Sequence, residues 1–379
     1  MPWDERDVVS LRDEFVRLAL ADDANIRRLC RRFSIAPKTG YKWIGRFQAH
    51  GPGGILNRSR RPRSSPARTG PEVEVAVLAV RDAHPAWGAR KICGRLVALG
   101  RQDVPAPSTV TAILRRHGRI TPAASAAAEP WQRFEQAAAN DLWQMDFKGR
   151  FPTARGDCHP LTILDDHSRF ALAVEACSNE QTETVRGKLI TTFRRAGLPW
   201  RMLMDNGSPW GDDAAHPHTP LTVWLLRLGV GVVHSRPYHP QTQGKDERFH
   251  RTLKAEVLAG RSFRDLAHCQ QAFDQWRPVY NFQRPHESLG LQVPASRWQP
   301  SPREYPEQLP PVEYPPGEQL RRVQAQGWIS FRGQEVAVPK AFRGQTVAIR
   351  PTPTDGHFHV CFLSHKIAVL NLTQVPHDT

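Results

Sequence analysis

Hydrophobic residues recur at helical spacing through the first quarter of the chain. Leu11, Phe15 and Leu18 share one helix face, and Ile26, Leu29, Cys30 and Phe33 follow at i, i+3, i+4 and i+7. After Pro37 a third helix is predicted with Tyr41, Ile44 and Phe47 on its apolar side and Lys38, Thr39, Lys42 and Arg46 facing outward. Three short helices broken at Ser34-Ile35-Ala36-Pro37 match a helix-turn-helix whose last helix enters the DNA major groove. A second such unit is expected over residues 72–118. Val73, Val77 and Val80 predict its first helix, Ile92, Leu96 and Leu99 its second, and Ser108 is expected to cap a third helix carrying Val110, Ile113 and Leu114. Between the units, Gly51-Pro52-Gly53-Gly54 leads into Arg58, Arg60, Arg61, Arg63 and Arg68 among Pro and Ser. That composition predicts an extended linker able to lie along phosphates or a minor groove.

From Asn140 the period of the pattern falls towards two. Strands are predicted over residues 142–147, 159–164 and 169–176, with a turn at Asp165-Asp166-His167-Ser168. A helix over 182–196, a strand over 200–204, a helix over 221–228, a strand over 230–235 and a long helix over 244–258 follow. Three consecutive strands and then alternation predict a mixed five-stranded sheet with helices on its faces. Prolines crowd residues 294–318, which predicts a stiff linker. Beyond it, short strands are predicted over 328–331, 335–338, 346–350, 357–363 and 366–370, and Asp355-Gly356 signals a hairpin.

Charge changes this picture by its location. The 379 residues carry a formal net charge of +15, from 52 Lys and Arg against 37 Asp and Glu. Residues 24–119 hold 20 of the basic residues and only Glu72, Glu74, Asp82 and Asp103 as acids, so this quarter carries +16 and the remainder −1. A basic excess confined to two helix-turn-helix patterns points to nucleic acid. Arg90, Lys91, Ser108, Thr109, Arg115 and Arg116 are the candidate DNA contacts of the second unit, beside Lys38, Thr39, Lys42 and Arg46 of the first. No apolar run reaches the ~18 residues of a membrane span, and the N-terminus lacks a secretory pattern, so a cytoplasmic, nucleoid-associated protein without a membrane partner is expected. Six singly scattered cysteines argue against a disulfide framework or a structural zinc site.

The middle of the chain carries the candidate chemistry. Asp146 ends the first predicted strand, Asp205 follows the fourth, and Glu247 lies in the first turn of the long helix. Acids at the ends of neighbouring strands and at a helix start can converge on hard divalent cations, which prefer carboxylate oxygen. Two such cations suit phosphoryl transfer. Glycosidase chemistry is the rival use of paired carboxylates, but it leaves the appended positive charge unexplained. Asp246 competes with Glu247, yet successive helical residues point about 100° apart, and both are not expected at one metal pair. Asp165 and Asp166 read as turn formers, and Asp212, Asp213, His216 and His218 as a polar loop rather than a transition-metal site.

Three segments carry a resemblance. Trp143-Gln144-Met145-Asp146-Phe147, Asp205-Asn206-Gly207-Ser208 and, most specifically, His239-Pro240-Gln241-Thr242-Gln243-Gly244-Lys245-Asp246-Glu247-Arg248 resemble the acidic motifs of bacterial insertion-sequence DDE transposases. These enzymes have a retroviral-integrase-like, ribonuclease-H-like core. Similar segments are His84-Pro85-Ala86-Trp87-Gly88-Ala89-Arg90-Lys91-Ile92 upstream and Tyr280-Asn281-Phe282-Gln283-Arg284-Pro285-His286 downstream.

The resemblance implies that Asp146, Asp205 and Glu247 bind two Mg²⁺ or Mn²⁺ ions, and that one site cuts the element's end and joins it to target DNA. It further implies that Arg251 and Lys254, on the Glu247 face of its helix, contact the DNA end, and that the C-terminal strands form a small SH3-like barrel. Asn206 and Gly207 shape the turn after the second acid. The partners implied are double-stranded transposon ends and target DNA, with a homodimer or larger assembly because two ends are synapsed.

The layout expected is a helix-turn-helix domain (1–50), a basic linker (51–71), a second helix-turn-helix domain (72–120), a linker (121–139), the catalytic core with its following helices (140–293), a Pro-rich linker (294–318) and the barrel (319–379). Two other functions fit parts of the pattern, a catalytically inactive transposase-derived repressor and a ribonuclease-H-like nuclease that cuts without joining.

Overall fold

The structure, a computed structural model, describes residues 8–57, 69–120, 135–211, 217–235 and 244–372. The chain divides into two compact units, Met1–Arg68 and Thr69–Thr379.

In the first unit, α1 (Val8–Ala19), α2 (Ile26–Arg32) and α3 (Pro37–His50) enclose Phe15, Val16, Ala19, Cys30, Trp43 and Ile55. Asn25 caps α2 by accepting the Arg28 N–H at 3.0 Å. Pro37 opens α3, where a missing N–H costs no helical hydrogen bond. The buried stripes are rotated from those the spacing selects. Leu11 is 38% exposed while Val16 is buried, and Tyr41 is 56% exposed while Trp43 takes the interior place. The indole buries the larger apolar body, and the phenol keeps its hydroxyl in water. At Gly40 a Cβ would stand 2.5 Å from Cys30 Sγ and 2.9 Å from Phe15 Cζ, so a side chain there would hold the three helices apart.

The second unit begins with α4 (Pro71–Ala83), α5 (Ala89–Ala98) and α6 (Pro107–Arg116), packed on Val77, Trp87, Ile92, Leu96, Val110, Ile113 and Leu114. Leu99 faces outward. The N-cap of α6 is Ala106 rather than Ser108, because Pro107 at the first helical position starts the helix two residues earlier.

The central sheet has six strands where five are predicted: β1 (Trp143–Phe147), β2 (Phe151–Thr153), β3 (Gly156–Asp165), β4 (Ala171–Cys177), β5 (Arg201–Met204) and β6 (Gly231–His234). The extra strand, β2, pairs with the start of β3. It is three residues long and contains a proline, too little to show a two-residue period. The order is β2-β3-β1-β5-β6, with β4 also on β3. β1 runs antiparallel to β3 and parallel to β5, so the sheet is mixed as expected.

Both faces of the sheet are covered. α7 (Thr182–Ala196) and α8 (Pro220–Arg227) bury Leu189, Phe193, Leu221 and Leu225 on one side. On the other lie α9 (Gly244–Leu253), its π-helical continuation Lys254–Leu258, and α10 (Leu266–Phe282), which bury Phe249, Leu253, Phe273 and Trp276. All six cysteines are buried and unpaired. Among the described residues no helix is long and apolar enough to cross a membrane.

The Pro-rich segment is a strap laid on the core. Trp298 stacks on Phe170 at a centroid distance of 4.0 Å, the Ser301 N–H donates to Ala196 O at 2.8 Å, and Arg303 donates to Gly229 O at 2.8 Å.

The C-terminal region holds β7 (Gln319–Arg322), β8 (Trp328–Phe331), β9 (Gln334–Ala337), β10 (Thr346–Pro351), β11 (His357–Phe362) and β12 (His365–Asn371). They form a four-stranded sheet, β12-β11-β10-β7, and a separate β8-β9 hairpin. The expected SH3-like barrel is therefore corrected to two antiparallel sheets: among the described residues no strand pairing closes them. They share one core instead, around Val323, Ile329, Phe331, Phe342, Val347 and Phe362, joined by Val223 and Leu226 of α8. Gly356, at φ +71°, makes the predicted hairpin turn.

Candidate active site

Strand pairing brings two of the three acids together. β1 and β5 pair in parallel with Trp143 beside Met202 and Gln144 beside Leu203. Carried two residues further, that register sets Asp146 level with Asp205, at the carboxyl ends of adjacent strands. Burial pushes the Asp146 carboxyl up to about 7, and the Asp205 charge is the next cause, with Glu180 and Glu247 adding to it. Asp205 is raised as well, chiefly by burial, and its Oδ1 accepts the Gly207 N–H at 3.1 Å. Asn206 donates from its side chain to Ser235 O at 2.8 Å, tying the end of β5 to the end of β6.

The first turn of α9 separates its two acids as the helical angle requires. Asp246 is 2% exposed, and its carboxyl is pushed well above the usual range by burial, then by Asp146 and Asp166. Glu247 is exposed on the same turn. Lys245, also half-buried, forms an ion pair with Asp166, whose carboxylate accepts the Gln144 side-chain amide at 2.6 Å and the Gln136 N–H at 2.9 Å. The two turn acids thus do different work. Asp165 closes the β3–β4 turn by accepting the Ser168 N–H at 2.7 Å and the Asn140 N–H at 2.8 Å, while Asp166 anchors the start of α9.

Four groups at this site escape sequence reasoning. His250 lies one turn beyond Glu247, 3.9 Å from Asp146, and contacts Thr162. Thr162 is the β3 partner of Asp146, a relation only strand register reveals. Lys148 sits close enough to His250 and Lys254 for its charge to be felt there. Glu180, half-exposed, accepts from His159 at 2.8 Å and adds negative charge to both aspartates. The spacing of His250 from Glu247, three residues on a helix, was the one signal available.

Carboxylate oxygens at the ends of two adjacent strands are the donor chemistry of a hard divalent cation. The raised Asp146 carboxyl is the electrostatic mark of a place that positive charge would relieve. Among the described residues, however, no three His, Cys, Asp or Glu side chains are gathered closely enough to hold a metal ion. The pair Asp146 and Asp205 fits such an ion, and Glu247 is not drawn in beside it.

The predicted DNA contacts divide sharply. On α3, Lys38 and Lys42 are exposed and Thr39 and Arg46 half-buried. Lys42 and Arg46 lie over the Trp43 ring at 4.7 and 5.0 Å, and Arg12 of α1, unforeseen, lies over it at 4.0 Å. Arg12 also donates to Ile55 O at 3.0 Å and Asn57 Oδ1 at 2.8 Å. Arg58, Arg60, Arg61 and Arg63 fall outside the described residues, as do residues 239–243 of the third motif and Asp212, Asp213 and His216.

In the second unit, Ser108 and Arg115 are exposed and Thr109 half-buried, but Arg116 is paired with the buried Glu74. Arg90 is 3.9 Å from Glu287, and Lys91 is half-buried with its ammonium pKa lowered by burial and then by Arg284. Arg90, Lys91, Ser108, Thr111 and Glu287 line a cleft of about 260 Å³. Arg251 and Lys254 are exposed on α9 and its continuation. His218, whose burial holds it down at about 4, packs edge-on to Phe342 at 5.1 Å.

The segment from Tyr280 to His286 is a structural latch. The Asn281 amide accepts the Ala171 N–H at 2.8 Å and donates to Ala171 O at 2.9 Å, and Arg284 pairs with Glu256 at 2.9 Å, both 9% exposed.

Several segments of the chain match known protein families. Residues 12–63 match a helix-turn-helix domain and residues 39–114 a homeodomain-like domain. Residues 136–240 and 228–294 match the integrase core domain, and residues 318–377 the C-terminal domain of IS481 family transposases. The insertion element IS407 uncharacterized 31.7 kDa protein of Burkholderia multivorans is 27% identical over 164 residues, 42% of this chain and 55% of that protein. The insertion element IS476 uncharacterized 39.2 kDa protein of Xanthomonas euvesicatoria is 26% identical over 156 residues, 41% and 43% of the two. The Pro-Pol polyprotein of simian foamy virus type 3 is 28% identical over 146 residues, 38% of this chain and 12% of that one. The chain thus spans between an eighth and about half of the length of these relatives. Among solved structures, the simian T-cell lymphotropic virus intasome in complex with PP2A regulatory subunit B56 gamma aligns over 78% of this chain and 96% of that one, at 11% identity and a TM-score of 0.40.

Proposed function

We propose that the chain is an insertion-sequence transposase with an integrase-like core, a reading supported by its matches to integrase core domains and insertion-element proteins, and that it binds the terminal inverted repeats of its element and catalyses DNA end cleavage and strand transfer. The observation that carries this reading is the parallel register of β1 and β5, which sets Asp146 level with Asp205 just beyond β5, with Glu247 in the first turn of α9, in a chain with helix-turn-helix matches in its first third.

Asp146, Asp205 and Glu247 are assigned as ligands of two Mg²⁺ or Mn²⁺ ions. When bound, such ions supply Lewis-acid activation of the attacking oxygen and stabilise the leaving oxygen. The residues of the chain hold and orient. Asp146 and Asp205 are fixed at strand ends, where backbone pairing leaves their carboxyls little freedom. Glu247 completes the set from a helix whose start is anchored by the Lys245–Asp166 ion pair. Arg251, Lys254 and Lys148 form a basic rim for the phosphates of the DNA end.

In the first step a water oxygen bonds to the scissile phosphorus in line as the bond to the leaving 3′ oxygen breaks, and that oxygen takes up a proton. In the second step the freed 3′-OH attacks a target phosphodiester in the same way. Because two ends are brought together, the working form is a dimer or larger assembly on double-stranded DNA.

The test is a joining assay with a pre-cleaved end in Mg²⁺. The wild-type protein joins the end to target DNA, and Glu247→Ala, Asp146→Ala and Asp205→Ala each lose joining by at least 10³-fold while keeping end binding. Joining retained by Glu247→Ala overturns the site assignment. Cutting without joining by the wild type identifies a nuclease, and binding without either reaction a repressor.

A further inference from the structure

Between the two strands and the helix that carry the acids lies a contact with no role in the reading above. Thr162 is fully buried on β3, directly opposite Asp146 on β1, and its hydroxyl donates to Asp146 O at 3.0 Å. The single hydroxyl proton is thereby committed, so the 2.7 Å contact between Thr162 Oγ1 and His250 Nε2 requires the ring to be the donor. That fixes the tautomer, with the proton on Nε2 and the Nδ1 lone pair turned towards Asp146 Oδ2, 3.9 Å away. The ring is 13% exposed. His250 sits on α9 three residues after Glu247 and packs beside Phe249, which is buried under the sheet.

Resting on the metal-dependent reading of this site, we propose that His250 is a positioning residue: through Thr162 it ties the helix bearing Glu247 to the backbone of Asp146 and so limits how far Glu247 can stand from the Asp146–Asp205 pair. A hydrogen bond from the ring to a buried hydroxyl suits that task, because it is short and directional. Outer groups of this kind typically alter metal affinity by 10- to 100-fold when removed.

The experiment measures Mn²⁺ binding to the full-length protein from the loss of the free-ion electron paramagnetic resonance signal, alongside the Mn²⁺ dependence of strand transfer. His250→Leu is expected to weaken Mn²⁺ binding by about tenfold and to raise the Mn²⁺ concentration for half-maximal joining by the same factor, with end binding unchanged. His250→Gln, whose amide nitrogen can reach the place of Nε2, is expected to recover most of that loss. Thr162→Val should match His250→Leu, and the double variant should be no weaker than either single one.

Wild-type Mn²⁺ affinity in a folded His250→Leu protein, or losses that add in the double variant, overturn the proposal. If His250→Leu does not fold, Thr162→Val compared with Thr162→Ser decides, since only Ser keeps the hydroxyl. A wild-type protein that binds Mn²⁺ normally but never joins DNA instead sinks the transposase reading, and leaves the His250 result to stand or fall on binding alone.

Discussion

The two helix-turn-helix units have similar basic content but use it differently. In the first, Arg27, Arg28, Arg31, Lys38 and Lys42 are exposed, and among the described residues none has an acid within ion-pair distance. Lys42 and Arg46 are instead gathered with Arg12 around Trp43, a desolvated ring face that favours cations without neutralising them. In the second, Arg116 is paired with Glu74, Arg119 with Asp82 and Arg90 with Glu287, and Arg81 donates to two backbone carbonyls. The +16 of residues 24–119 already subtracts Glu74 and Asp82, so these pairs leave the net unchanged but decide which cations are left facing solvent without an acid. Charge that is internally paired releases few counterions when a phosphate arrives.

This contrast can be broken by experiment. The largest effect is expected from Lys38→Ala, Lys42→Ala and Arg46→Ala combined. End affinity at 150 mM salt should fall about 100-fold, and the slope of log affinity against log salt should flatten by about 2 to 3. An unchanged slope in a binding titration over several salt concentrations would mean that α3 does not face phosphate.

Next comes Arg116→Ala, which removes the guanidinium paired with the buried Glu74, a carboxylate that also contacts His117 at 3.0 Å. It should cost about 2 kcal/mol of stability in a chemical denaturation measurement while changing the salt slope by less than one. A loss of affinity without loss of stability would return Arg116 to the DNA interface. Gly40→Ala should destabilise the first unit by about 1 to 2 kcal/mol, since crowding of Cys30 and Phe15 outweighs the gain in helix propensity.

The smallest effect belongs to Gly94→Ala, where the new methyl meets the Pro285 ring at 3.2 Å rather than 2.5 Å. Propensity and contact should nearly cancel, leaving the melting temperature within about 2 °C of the parent. A large drop would show that α5 packs on the Pro285 segment more tightly than these distances imply.

Much of the fold was legible because local rules govern it. The i, i+3 spacing located the six α-helices of the two helix-turn-helix units, and alternation located five strands of the central sheet to within three residues. What misled was choice within a face. Tyr41 and Trp43 both fit an apolar stripe, and only the space between α1 and α2 selects the indole. Ser108 looked like a cap because its hydroxyl suits one, but Pro107 had already opened the helix. Five of the six C-terminal strands were marked in the sequence and β7 (Gln319–Arg322) was not, while their closure depends on pairings between distant residues, and the four-stranded sheet and the hairpin meet through side chains.

The site divides along the same line. Asp146, Asp205 and Glu247 were identifiable as types of residue in recognisable surroundings, and the 100° step between helical neighbours already separated Glu247 from Asp246. By itself the sequence determined most of the helices and strands, the acids that stand at strand and helix ends, and the quarter of the chain that carries the excess charge. These follow from short-range periodicity and composition. Only the tertiary structure decided that Asp146 lies level with Asp205, that Thr162 and His250 join β1 to α9, and that Glu74, Asp82 and Glu287 neutralise cations of the second unit. Each of these depends on Coulomb and hydrogen-bond terms that act over a few ångströms between residues from 16 to nearly 200 positions apart in the chain, and proximity of that kind exists only once the sheet and its helices have packed.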